Sequence, residues 1–238
     1  MTPISENDFT TLAPDCCRIG YASINSYEGV EREQLCNILP AVKTVIVIAH
    51  HIQDSLEWTW LKFPAARGGA TSPADIHCLA TAERVESRLG LQGYQSCIVP
   101  YPGVSGPMFK TVAIPTGLGG LGDHFLFMNE HWGPWIHLRV LLTDAQLSFT
   151  FRKIATGCIH CAKCMKVCPA DAIARDTFNG VACREAHKKM AEQECDGSYV
   201  YECEKCLRVC PIGRQPREIK VRFKHRAISS EQTDAVDA

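Results

Sequence analysis

Cys158-Ile-His-Cys161-Ala-Lys-Cys164-Met-Lys-Val-Cys168, followed by Pro169, forms a C-x2-C-x2-C-x3-C-P run. Three thiolates at this spacing on one loop reach three irons of a 4Fe–4S cubane, and the fourth cysteine ligates the other cluster in two-cluster ferredoxins. Pro169 bars the chain from continuing as helix after the last ligand. A second site is therefore expected, and Cys203-Glu-Lys-Cys206-Leu-Arg-Val-Cys210-Pro211 repeats the distal half of the run. A full copy would need cysteine at position 200, which is Val200, so Cys183 and Cys195 are the candidates for the eighth ligand. Crosswise sharing assigns Cys158, Cys161, Cys164 and Cys210 to one cluster. The other takes Cys168, Cys203, Cys206 and either Cys183 or Cys195. Structural zinc also uses C-x2-C pairs, but a triple run closed by C-P and then repeated is the iron–sulfur pattern.

These ligands need a fold to hold them. The 238 residues suffice for one substantial domain and a small appendage. A hydrophobic share of 46% supports a real core. The net charge of −1 argues against bulk attraction to nucleic acid or anionic membrane. No apolar stretch approaches the roughly 20 residues of a membrane span. Neither an export signal nor a twin arginine opens the chain, so a reducing, cytoplasmic setting is expected. Of the fourteen cysteines, Cys16, Cys17, Cys36, Cys78 and Cys97 lie far from the cluster motifs and read as small buried hydrophobes.

The first 150 residues read as a mixed α/β domain. Ser5 and Asp8 form a capping pair, and Glu28–Leu39 has helical spacing that stops at Pro40. Val42–Ala49 is a buried central strand. Pro73-Ala74-Asp75 opens a helix with apolar positions Leu79, Ala82, Val85 and Leu89, terminated at Gly90. Gln95–Val99 and Thr111–Ile114 read as strands, and Gly117–Gly122 as a glycine-rich turn leading to a helix over Phe125–Met128. Ile136–Thr143 is a final long strand. A ferredoxin-like module follows over 151–213. The tail, 214–238, is basic and then disordered, with a polar, acidic end.

Gly117-Leu118-Gly119-Gly120-Leu121-Gly122 matches the G-x-G-x-x-G spacing, but no long βαβ unit with a distal acid follows, so it is not a dinucleotide fingerprint. The glycines imply close backbone approach or positive φ. Next come Glu130-His-Trp-Gly133-Pro134, Leu138-Arg-Val-Leu-Leu-Thr143-Asp144 and the cysteine runs. This order of motifs, over about residues 40–213, resembles the superfamily of epoxyqueuosine reductases and reductive dehalogenases. The resemblance implies an α/β, or α+β, fold: a nitroreductase-like cobalamin-binding domain followed by a ferredoxin-like double 4Fe–4S module. It implies an oxidoreductase that passes electrons through two clusters to a bound corrinoid, with one cluster near the cobalt and the other nearer the surface. An electron donor such as ferredoxin or flavodoxin is implied. The glycine segment, Gly117 to Gly122, would lie close to the corrin, with His124 and Trp132 beside it, and the cysteine after the first C-P is matched by Cys183. Such a cofactor carries the hard chemistry while the protein positions it and supplies a proton.

The chain departs from the family at Asp123-His124, where arginine or lysine often follows the last glycine. It also stops soon after Pro211, which makes tRNA a doubtful substrate. A non-catalytic electron-transfer or corrinoid-handling protein, working with a corrinoid partner, is the alternative. FMN is the alternative cofactor, since the related nitroreductase fold binds it. Ala66-Arg67-Gly68-Gly69 and Asp75-Ile-His77 faintly resemble a catalytic segment of the reductases, making Asp75 and His77 proton-donor candidates. Tyr101 is a third. Asp75 alternatively caps its helix. Trp58, Trp60, Trp132 and Trp135 either wall an apolar pocket or pack in the core. His131 and the His50-His51 pair at the end of a buried strand complete the candidates.

Overall fold

Thr44–His51 (β2) has almost no exposed residue, as its β-branched apolar run requires. It lies inside a four-stranded antiparallel sheet of order β1-β2-β8-β5, where β1 is Cys17–Ser23, β5 is Ser96–Ile98 and β8 is Ile136–Thr143. The computed structural model describes residues 5–62, 70–100, 106–151, 153–194, 199–200 and 203–219. The other elements are α1 (Asn7–Thr10), α2 (Gly29–Ile38), β3 (Trp60–Lys62), β4 (Ala70–Thr71), α3 (Pro73–Leu91), α4 (Phe109–Val112), β6 (Gly120–Leu121) and β7 (Phe127–Met128). Beyond β8 come α5 (Lys163–Val167), β9 (Ile173–Ala174), β10 (Thr177–Phe178), α6 (Gly180–Glu194), β11 (Tyr199–Val200) and α7 (Lys205–Arg208).

Alternate residues of β2 feed opposite faces, as the strand period of two demands. Val45, Val47 and Ala49 pack with Tyr27, Leu35, Phe109 and Val112 on one face. Ile46 and Ile48 pack with Cys78, Ala82, Val85 and Leu89 of α3 on the other. Helix α3 begins at Ser72, whose hydroxyl accepts from the Asp75 amide. Ser5 and Asp8 form the expected local pair, with the Ser5 amide donating to Asp8 Oδ2.

Three local expectations are corrected. Helix α3 runs past Gly90 to Leu91, and Gly93, at φ +83°, is the left-handed terminator. The Tyr94 amide bonds Leu89 O and the Gly93 amide bonds Gly90 O, which closes a Schellman turn. Residues 111–114 are not extended. Phe109 and Val112 bury one face of α4 and a 3-10 turn follows over Ile114–Thr116, so packing overrides the β-preference of Thr111 and Val112. Residues 125–128 are not helical either. Phe125 at φ +59° closes a tight turn between β6 and β7.

The cysteine-bearing part is stitched to the sheet domain at several places. Strand β11 pairs with β3. Arg217 forms a bridge beside Asp54, with its amide donating to Gln53 O at 2.8 Å. Gly133 and Gly213, at φ +60° and +75°, meet backbone to backbone, so that a Cβ on Gly213 would lie 2.3 Å from Gly133 N. The start of the basic tail is thus held against the loop after β2.

Candidate functional site

Two cavities gather the seven motif cysteines and Cys183. Cys158, Cys161, Cys164 and Cys210 line one, together with Asp123, His124, Met128 and Ile212. Cys168, Cys183, Cys203 and Cys206 line the other, with Trp58, His124, Leu126 and Ile173. The loop carrying the first run achieves this convergence by placing His160 (φ +51°) and Ala162 (φ +58°) in the left-handed region. Each such residue costs on the order of 1–3 kcal/mol, a strain that clusters at functional sites. Gly157 (φ +75°) seats the loop against the Glu130 backbone, 2.6 Å from where its Cβ would be. Cys164 sits on α5, Cys206 on α7 and Cys183 in the first turn of α6.

Burial pushes the Cys206 thiol up to about 12, and the neighbouring Cys203, Cys183, Cys164 and Cys168 add to the shift. Cys210 is raised by burial and then by Cys158 and Cys161. So many thiols cannot ionise together without a cation to offset their charge, and four thiolates around one cavity are the donor set of a tetrathiolate metal or iron–sulfur centre. The Ala172 amide donates to Cys168 Sγ at 3.3 Å. Cys161 is exposed, which brings the first cavity to the surface. Asp123 beside it holds His160 Nδ1 at 2.7 Å.

His124 lines both cavities. The Leu126 amide donates to its Nδ1 at 3.1 Å, so the neutral ring carries its proton on Nε2. Nε2 is buried without a hydrogen-bond partner among the described residues. Burial lowers the His124 pKa to about 4, which keeps the ring neutral near pH 7. The glycine segment makes room for this arrangement. A Cβ on Gly122 would lie 2.9 Å from His124 Cε1, one on Gly119 2.3 Å from Met128 O, and one on Gly120 2.6 Å from Thr156 Oγ1. The space these glycines leave is filled by the chain itself. Gly117 and Leu118 instead line an open cleft of about 550 Å³ on the β1 side. Leu121 belongs to the β6–β7 hairpin.

A cleft of about 350 Å³ adjoins the second cavity and shares Trp58, Leu126 and Leu207 with it. Its remaining walls are Met108, Phe109, Phe127, Pro134, Ile136 and Leu138, with Lys110 and His137 as its polar members. The Trp58 Nε1 is also buried and unpartnered among the described residues.

Among the described residues, the proton-donor candidates Asp75 and His77 have different partners. Asp75 is buried and accepts from Arg139 Nε (2.6 Å), Arg139 Nη2 (2.7 Å) and Thr71 Oγ1 (3.0 Å), with His137 Nε2 at 2.9 Å. Burial opposes ionisation, but the bonds from His137 and Arg139 win and hold the carboxyl well below the usual carboxylate range. Asp75 is therefore an acceptor that ties α3 to β8, and the capping role at this helix belongs to Ser72. His137 and Arg139 were missed by sequence reasoning. Their signal was the i, i+2 spacing that puts two polar groups on one face of an otherwise apolar strand. His77 is exposed and stacks on His50, with centroids 5.3 Å apart. Tyr101, Arg67 and Cys195 lie outside the described residues. Trp132 is sandwiched between His51 (5.3 Å) and the Arg18 guanidinium (5.5 Å), and Trp135 is core. His131 is exposed beside Glu130.

No family model matches the chain. Over 90 residues, 36% of this chain, it is 31% identical to epoxyqueuosine reductase of Escherichia coli, and the match spans 24% of that protein. Among solved structures, epoxyqueuosine reductase from Bacillus subtilis aligns over 89% of this chain and 64% of its own, with a TM-score of 0.65 and 15% identity. An epoxyqueuosine reductase solved with a tRNA-Tyr epoxyqueuosine-modified stem loop aligns over 86% of this chain and 63% of its own (TM-score 0.63, 15% identity). A reductive dehalogenase structure described in terms of B12-dependent dehalogenation aligns over 84% and 30% (TM-score 0.54, 16% identity).

Proposed function

Taking the chain as a member of the superfamily of epoxyqueuosine reductases and reductive dehalogenases, whose fold it shares, we propose that it is an oxidoreductase holding two 4Fe–4S clusters beside a corrinoid site. The observation that carries this reading is the continuity of the three spaces. His124 belongs to both cysteine cavities, and Trp58, Leu126 and Leu207 belong to both the second cavity and the apolar cleft. In this reading residues 151–213 are the ferredoxin-like module and residues 1–150 the nitroreductase-related domain.

The donor set fits the clusters: Cys158, Cys161, Cys164 and Cys210 hold the outer one, and Cys168, Cys183, Cys203 and Cys206 the inner one. Cys161 at the surface marks the face where a small donor such as ferredoxin or flavodoxin docks. The cleft fits one face of an apolar macrocycle, with Trp58, Phe109, Leu126 and Phe127 as walls and the Trp58 indole N–H as a waiting donor. A bound corrinoid supplies the reducing cobalt centre. The chain itself excludes water from the cleft through these aromatic walls, and Asp75 fixes the His137 ring at its edge.

Protein purified and cluster-loaded without oxygen should change its visible spectrum on addition of cobalamin, and Met108→Ala, which lines the cleft but neither cysteine cavity, should weaken that binding at unchanged iron content. An unchanged spectrum sinks the corrinoid half of the reading, and a yellow, fluorescent extract would put FMN in its place. The second reading, an electron carrier without chemistry of its own, is favoured by Asp75 being held ionised rather than poised as an acid. Reduction of an organic acceptor by the isolated protein with a chemical reductant removes it. The tRNA-bound relative brings tRNA back as a candidate substrate, against the expectation from chain length, and an epoxyqueuosine-containing stem loop is the direct probe.

A further inference from the structure

Cys16, Cys17 and His50 lie at the opposite end of β1 from its turn, and their Sγ, Sγ and Nδ1 atoms are all within 4.8 Å of one another. Cys17 and His50 are register partners across the β1–β2 ladder, so their side chains rise on the same face of the sheet. Cys17 Sγ stands 3.4 Å from His50 Nδ1. On the far side of the ring, His50 Nε2 is 3.1 Å from Glu57 Oε1, and the Gln53 amide holds the second Glu57 oxygen at 2.5 Å. The carboxylate therefore keeps the ring proton on Nε2 and leaves the Nδ1 lone pair facing the two sulfurs. A carboxylate behind a histidine is the usual outer partner of a metal-ligating imidazole.

We propose that Cys16, Cys17 and His50 form a binding site for a borderline-soft divalent cation of the zinc type. It is separate from the seven motif cysteines and Cys183, and independent of the corrinoid reading. Tetrahedral zinc with Zn–S of about 2.3 Å and Zn–N of about 2.0–2.1 Å needs sulfur and nitrogen about 3.5 Å apart, close to the spacing found here. Two thiolates balance the cation's charge. Binding releases one proton from each thiol and leaves His50 neutral, with its Nε2 proton still donated to Glu57. Three protein ligands leave a fourth position, filled by water. Cys17 also lines the open cleft on the β1 side, so that position has a route to solvent. In the metal-free chain the same geometry is kept by the Cys17 thiol donating to Nδ1. The adjacent dipeptide is then two cysteines serving one ligand set, rather than a pair of apolar fillers.

The test uses the cluster-loaded protein, equilibrated without oxygen against chelator-buffered zinc. The structure predicts one zinc per chain, with an X-ray absorption shell of two sulfurs, one nitrogen and one oxygen. Cys16→Ser, an isosteric change at a half-buried position on the edge of the core, should remove that zinc while iron content and circular dichroism stay unchanged. Glu57→Gln should weaken zinc affinity about 10–100-fold through the histidine. Absence of bound zinc, equal zinc in wild type and Cys16→Ser, or a shell of four sulfurs pointing to the motif cysteines would each overturn the assignment.

Discussion

His124 shows how one side chain can connect a glycine motif to two thiol-lined cavities. Its Nδ1 is occupied by the Leu126 amide, and its Nε2–H has no partner among the described residues although it is buried between two groups of thiols. An unmade hydrogen bond of this kind costs about 1–3 kcal/mol, a cost that a cluster sulfur accepting from Nε2 would remove. Hydrogen bonds to cluster sulfurs favour the more negative, reduced state. His124→Leu should therefore lower the midpoint potential of at least one cluster, read by potentiometric titration with electron paramagnetic resonance. Unchanged potentials would mean that the ring only fills space. Asp75 makes a different claim. Asp75→Asn removes the carboxylate that Arg139 and His137 share and should lower the stability of the fold. The folded pKa lies below that of the unfolded chain, so this stabilisation is complete above about pH 4 and is lost as pH falls further toward the folded value. The gap in thermal midpoint between wild type and Asp75→Asn should be constant from neutral pH to about pH 5 and narrow below about pH 4.

At the scale of elements, the cysteine module and the sheet are held in register by backbone contacts that tolerate no side chain. Gly133 in the loop before β8 touches Ile212 and Gly213 just past the last cysteine ligand candidate. Gly213→Ala meets fixed backbone at 2.3 Å and also carries positive φ. It should lower the melting temperature and the iron retained on purification. Gly29→Ala supplies the control, because Gly29 has positive φ but nothing within 4 Å of the added methyl. Its effect should be confined to backbone strain, with iron content unaltered. Equal iron loss in both variants would contradict a docking role for the Gly133–Gly213 contact. Short elements are also where sequence reasoning erred. Strands β6 and β7 are two residues each, and their turn depends on Phe125 adopting a left-handed backbone that no local pattern announces. Strand β2 was legible because burial on both faces leaves the apolar run Val45–Ala49, and β8 because its apolar residues outnumber His137 and Arg139, whose polar groups are met by Asp75.

Across the whole molecule, spacing alone singled out seven of the cysteines that line the two cavities, while Cys183 was left beside Cys195 and favoured only by the family resemblance. Sequence reasoning left His137 and Arg139 unread, and it read Cys16 and Cys17 as buried fillers and His50 apart from them, because these residues meet their partners only through sheet register. It called for close backbone approach at the glycine segment, and Gly119, Gly120 and Gly122 do meet their own chain closely, although the sequence could not say what they approach. No helix among the described residues is long and apolar enough to cross a membrane. The likeness to solved reductases spans most of this chain, while the matched sequence covers a quarter of the E. coli relative. The most direct test of two clusters side by side is electron paramagnetic resonance of the anaerobic, dithionite-reduced protein alongside iron and sulfide analysis. About eight irons and eight sulfides per chain are predicted, with a signal broadened by coupling between two reduced cubanes. About four irons, an uncoupled single-cluster signal, or zinc in the motif cysteines would contradict it.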